Sequence, residues 1–115
     1  MKLFKHDAAS VVPGQGYVKR VLIDESSLGI PGSFMQEVEF KQGDVVRQHH
    51  HRFQTEIFYA LDEAPFEING HKVTMSPGDI VICEPGDVHG NPVIPRDFRI
   101  LVLKVNFREN DIVWE

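Results

Sequence analysis

Three consecutive histidines, His49, His50 and His51, are followed five residues later by Glu56, and a further histidine, His89, lies downstream. Imidazole nitrogen suits zinc, copper, iron and nickel, and an added carboxylate extends the range to manganese. On an extended strand side chains alternate between faces, so His49 and His51 project together while His50 projects the other way. A short turn after Phe53 lets Glu56 reach the same ion from a neighbouring strand, and His89 offers a fourth ligand. These four residues predict a site for one divalent transition-metal ion, with no part for His50. Two further side chains are candidates for its surroundings. Gln36 shares an apolar strand face with Phe34, Val38 and Phe40, and Arg47 has the parity of His49 and His51 if no bulge intervenes.

Positioning such a set requires strands. Tyr17–Asp24, Ser33–Phe40, the histidine segment, Thr55–Asp62 and Phe98–Phe107 all read as strands, and Asp79–Cys83 as a short apolar one. Asn69-Gly70 between two alternating runs is a hairpin signal, because a type I′ turn needs positive φ at both central residues. Ser76-Pro77-Gly78-Asp79 and Glu84-Pro85-Gly86-Asp87 read as turns, the second delivering His89. Residues 1–16 read as irregular apart from a turn at Pro13-Gly14, and the ESSLGIPG segment after Asp24 reads as a loop. Ile112, Val113 and Trp114 are expected to dock on the body. Many short strands punctuated by turns predict an all-β sandwich or barrel.

The chain of 115 residues is expected to form a single domain, with a net charge of −5 and no block of like charges. Nothing resembles the basic stripe that nucleic acid binding requires. No apolar run approaches the roughly 18 residues of a spanning helix, and the first ten residues are too polar for a signal peptide, so a cytoplasmic location is expected. The single cysteine, Cys83, excludes an internal disulfide and reads as a small buried hydrophobe. Thr55–Asp62 is apolar on both faces, Glu56, Phe58 and Ala60 opposite Ile57, Tyr59 and Leu61, which predicts cover on both sides and a homodimer.

These residues resemble the two motifs of the cupin superfamily, small β-barrels of two antiparallel sheets. The first motif, Gly-x5-His-x-His-x3-4-Glu, is met by Gly43, His49, His51 and Glu56, within about residues 43–63. The second, within about residues 78–93, is met by Gly78, Gly86 and His89, with Glu84 in place of its proline and Val93 in place of its asparagine. Glu63 stands where the first motif ends in glycine. The resemblance implies an all-β double-stranded β-helix (jelly-roll) barrel over residues 1–115. It also implies one divalent ion (Fe, Mn, Ni, Cu or Zn) on His49, His51, Glu56 and His89.

Three neutral imidazoles and one carboxylate leave a formal charge of about +1 on a divalent centre, which favours a chelating, anionic small molecule as partner. The leading expectation is a metal-dependent oxygenase or related oxidoreductase acting on a small oxygenated compound, with an isomerase as a variant on the same site. The alternative is a non-catalytic module that binds a sugar or organic acid. An anion between the metal and Arg47 would match the planar fork of the guanidinium, giving Arg47 a place in the pocket; an equal alternative is that Arg47 reaches solvent or pairs with a surface acid.

Overall fold

Alternation of apolar and polar residues builds nearly all of this protein. The computed structural model describes residues 1–115. Its strands are β1 (Ser10–Pro13), β2 (Tyr17–Ile23), β3 (Phe34–Phe40), β4 (Val46–His51), β5 (Thr55–Ala60), β6 (Ala64–Ile68), β7 (His71–Met75), β8 (Ile80–Cys83), β9 (His89–Asn91), β10 (Phe98–Val105) and β11 (Ile112–Trp114). They form a six-stranded sheet in the order β1-β2-β3-β10-β5-β8 and a five-stranded sheet in the order β11-β4-β9-β6-β7. All pairings are antiparallel. The all-β, two-sheet architecture expected from the sequence is the one observed.

Two segments differ from expectation. Residues 10–13 of the irregular N-terminal stretch pair with β2 as an edge strand, where Pro13 is tolerated. The loop after β2 contains a one-turn helix, α1 (Glu25–Leu28). The Asp24 side chain accepts from the Ser27 amide at 2.7 Å, and Gly29 closes the turn at φ 75°, the capping pattern of a short helix. A single turn is too short to show a helical period, so only these caps announce it. In the Asn69-Gly70 hairpin the two residues have φ 51° and φ 78°, as a type I′ turn demands.

One end of the space between the sheets is filled by side chains. Phe40 stacks on Phe98 with ring centroids 4.6 Å apart, and Phe66 meets both edge-on at 5.6 Å, arrangements that aromatic rings favour. Ala60, Ala64, Met75, Ile94 and Ile100 complete this packing. Toward the other end the inward positions become polar. The strand register sets Cys83, Glu56, Lys104 and Phe34 side by side in one row across β8, β5, β10 and β3. The next row holds Phe58, Val102 and Gln36.

On the outer face of the six-stranded sheet, Tyr59 lies opposite Ile80 and Ile57 opposite Ile82. Tyr59, Ile80 and Ile82 are exposed there. No helix is long and apolar enough to cross a membrane.

Candidate metal centre

A cavity of about 90 Å³ opens at the polar end of the barrel, between the two sheets. His49, His51 and His89 converge in its wall, with one ring nitrogen of each within 4.8 Å of the others. β4 carries the first two, and β9 places His89 directly across from His49. The Glu84–Asp87 turn delivers β9; its Asp87 amide donates to the Glu84 carbonyl at 3.0 Å, and Gly86 takes φ 92°.

Backbone carbonyls orient two of the rings. His49 Nδ1 is 2.8 Å from the Arg47 carbonyl, and His89 Nδ1 is 2.9 Å from the Asp87 carbonyl. An Nδ1–H donated to a carbonyl fixes the tautomer and leaves the Nε2 lone pair free for a cation. His51 Nε2 lies 2.6 Å from Glu56 Oε1, and His89 Nε2 lies 3.7 Å from the same oxygen. Gln54 Nε2 donates to it at 3.0 Å.

Burial works against ionisation of Glu56, yet its hydrogen bonds to His51 and His89 and the nearby Lys104 charge hold its carboxyl well below the usual range. Burial, aided by the other two histidines, pushes His49 down to about 4 against the opposing Arg47 carbonyl, so this imidazole is neutral at pH 7. For His89, burial is outweighed by Glu56, and its pKa rises.

This donor set fits a divalent transition-metal ion. A proton on His51 Nε2 joins it to Glu56, and a cation would replace that proton while drawing on both atoms. His51 Nδ1 is buried without a hydrogen-bond partner.

The structure sorts the remaining candidates. Gln36 is buried and lines the cavity. His50 faces away and meets Glu115 Oε1 at 2.6 Å. Arg47 is exposed, lies outside the cavity and donates from Nε to the Glu115 carbonyl at 2.9 Å, so of its two expected placements the one in the pocket is corrected and the solvent-facing one is observed. A β-bulge is the cause. Val46 pairs with Asn91 and His49 with His89, so Arg47 and Gln48 together face the single residue Gly90. The extra residue turns Val46 inward with the histidines and Arg47 outward.

Several cavity residues escaped the sequence reading. Lys104 and Lys19 both line it, as do Tyr17 and Asn91. Lys104 has the parity of Phe98, Ile100 and Val102, and that was the available signal. Burial, with help from Lys104, brings Lys19 down to about 8. Asn91, two residues before the position where the motif has asparagine, is buried and donates to the Pro65 carbonyl.

Residues 36–101 match the cupin domain family. Over 84 residues the chain is 27% identical to the tetracenomycin polyketide synthase protein TcmJ of Streptomyces glaucescens, a match covering 70% of this chain and 56% of that protein. The chain thus spans little more than half the length of this curated relative. The polyketide cyclase RemF of Streptomyces resistomycificus superposes with a TM-score of 0.81 at 23% identity, over 99% of this chain and 84% of that one. The nucleoside dehydratase Pac13 of Streptomyces superposes with a TM-score of 0.76 at 13% identity, over 100% and 91% of the two chains. At these identities the superpositions establish a common fold. With more than half its length matched to the family and the two-sheet barrel in place, the chain belongs to the cupin family.

Proposed function

We propose that this protein is a metal-dependent enzyme that activates a small, oxygenated, enolisable compound, using one divalent ion held by His49, His51, Glu56 and His89. The observation that carries this reading is the meeting of three imidazoles and a carboxylate in a cavity that also holds two lysines. When bound, the ion supplies Lewis-acid polarisation of a chelating carbonyl. The protein does the rest. His49 and His89 are held by backbone carbonyls with their Nε2 atoms aimed inward. Lys19, brought to about 8, can hold or release a proton at Nζ near neutral pH, as general acid–base work requires. The aromatic floor of Phe40, Phe58 and Phe66 keeps water from the far side. Ring closure and loss of water, the reactions for which RemF and Pac13 are named, need no oxidant.

The test is deuterium exchange at the carbon next to the carbonyl of 2-oxobutyrate and of acetylacetone, followed by NMR in heavy water. Exchange that requires both metal and His51 supports the reading; exchange unaffected by metal overturns it. A metal-dependent oxygenase is a second reading, favoured by a nitrogen-and-oxygen donor set that suits iron as well as zinc. Oxygen uptake by the iron-loaded protein distinguishes it. Tight ligand binding with neither exchange nor uptake leaves a binding module.

We also propose a homodimer formed through the outer face of the six-stranded sheet, supported by the exposed Tyr59, Ile80 and Ile82 side by side on β5 and the edge strand β8. A cytoplasmic location is proposed as well; the chain needs no disulfide, its one cysteine being packed in the core as a small hydrophobe on β8.

A further inference from the structure

A lysine ammonium has no place in the interior of a barrel unless something compensates it. Lys104 is 7% exposed, lines the cavity and neighbours Glu56 across the strand pair. It forms no ion pair; the lysine and arginine pairs of this protein belong to Lys41, Arg96 and Arg99 on the surface. Two aromatic rings flank its head, with Nζ 5.4 Å from the ring centre of Phe34 and 5.6 Å from that of Phe107, and its charge also acts on Glu56 and Lys19. Phe34 and Phe107 meet edge-to-face at 5.1 Å and hold the stem in place. Ring faces attract the charge but do not replace oxygen acceptors for its N–H groups.

The charge balance of the cavity points the same way. Its charged lining residues are Lys19, Lys104 and Glu56, which sum to about +1 with neutral histidines and about +3 with a divalent ion added. An ammonium set among ring faces, with one carboxylate nearby but no ion pair to it, gains less than it would from oxygen acceptors in direct contact. Lys104 therefore has capacity left for an oxygen ligand from the cavity it lines.

We infer that Lys104 anchors an anionic group of the substrate, a carboxylate or the oxyanion of an enolate or phenolate, beside the metal centre. This rests on the reading of the cavity as a substrate site and narrows it: the compound carries a negative group in addition to its chelating oxygen. The Arg47 guanidinium, turned outward by the bulge, cannot fill that role. Lys104 can, because the two phenyl rings fix its stem while its head is left without an oxygen partner. Lys19 adds a second positive charge to the same cavity.

The experiment is malonate binding by titration calorimetry, in metal-free and zinc-loaded forms of the wild type, Lys104→Met and Lys104→Arg. Malonate is expected to bind both wild-type forms, more tightly with zinc. Lys104→Met should weaken it by about tenfold or more, the loss expected for a charge-assisted hydrogen bond, while Lys104→Arg stays within about threefold. Zinc content should be equal in all three proteins, and the melting temperature of Lys104→Met should equal or exceed that of the wild type. Malonate affinity in Lys104→Met within about twofold of the wild type overturns the inference, as does absence of malonate binding to either form. Should zinc fail to bind the wild type, the metal reading falls and the metal-free arm alone decides on Lys104. Lys104→Gln replaces the methionine variant if that variant does not fold.

Discussion

Asp111 and Gln54 are joined backbone to side chain: Oδ2 of the aspartate accepts from the Gln54 amide at 2.9 Å. The same carboxylate accepts from the amides of Arg52 and Phe53 at 2.9 and 3.1 Å, and the Gln54 side chain passes the constraint on to Glu56. The loop between β4 and β5, which carry three of the four candidate ligands, is therefore clasped by the segment leading into β11. Asp111→Ala leaves three amides without their acceptor and is expected to lower stability by about 2–3 kcal/mol, read by urea denaturation, and to loosen zinc binding. Unchanged stability would remove the clasp from this account.

The Asp111 clasp also sets a pH dependence. Burial opposes ionisation, but the three amides outweigh it and hold the pKa below its usual value. A carboxyl whose folded pKa is depressed contributes stability above its unfolded pKa and loses it as pH falls through the folded value. The acid limb of the stability curve, below about pH 4, should therefore be shallower in Asp111→Asn than in the wild type.

Among the histidines the expected outcome is a contrast. His49→Ala, His51→Ala and His89→Ala should each sharply reduce bound metal by elemental analysis, and His50→Ala should not, because its ring faces Glu115. Equal metal content in all four variants would remove the assignment.

Lys19 offers a direct titration. Reductive ¹³C-methylation followed by NMR should find its midpoint near 8, against ordinary lysines above about 10. Because the folded pKa is the lower one, the unfolded chain binds more protons between these values, and stability should rise with pH across that window. Lys19→Met should remove that rise.

Gly90 is the residue the bulge depends on. A Cβ there would meet the Val46 carbonyl oxygen at 2.6 Å and that of Arg47 at 3.1 Å, both backbone atoms. Gly90→Ala is expected to cost about 2 kcal/mol or more and to displace His89, measured by denaturation and zinc affinity together.

Strand parity made much of this site legible. His49, His51, Glu56 and Gln36 face inward as the period of two requires, and Asn69-Gly70 announced its hairpin through the φ values that turn needs. Arg47 was misplaced because a single extra residue reverses parity, and the mark of that bulge lies on another strand, at Gly90. Lys19 and Lys104 were missed for a different reason. A lysine within a strand is ordinarily read as a solvent-facing residue, and only its parity with Ile100 and Val102 places Lys104 inside. The single turn α1 and the edge strand β1 are short enough that local caps and pairing, not periodicity, define them.

The edge strand β11 runs for three residues and pairs with β4 alone, setting Trp114 opposite His49 and Ile112 opposite His51. Short edge elements are the least costly part of a sheet to open, and here the hinge is the Asp111 clasp. Peeling β11 away bares the flank of the histidine strand while the six-stranded sheet, with Glu56 and Lys104 on it, stays intact. Ile112 also lines the cavity, so opening this strand would widen the access to the histidines. How quickly a chelator empties the protein should follow the fraying of these three residues, not the unfolding of the barrel.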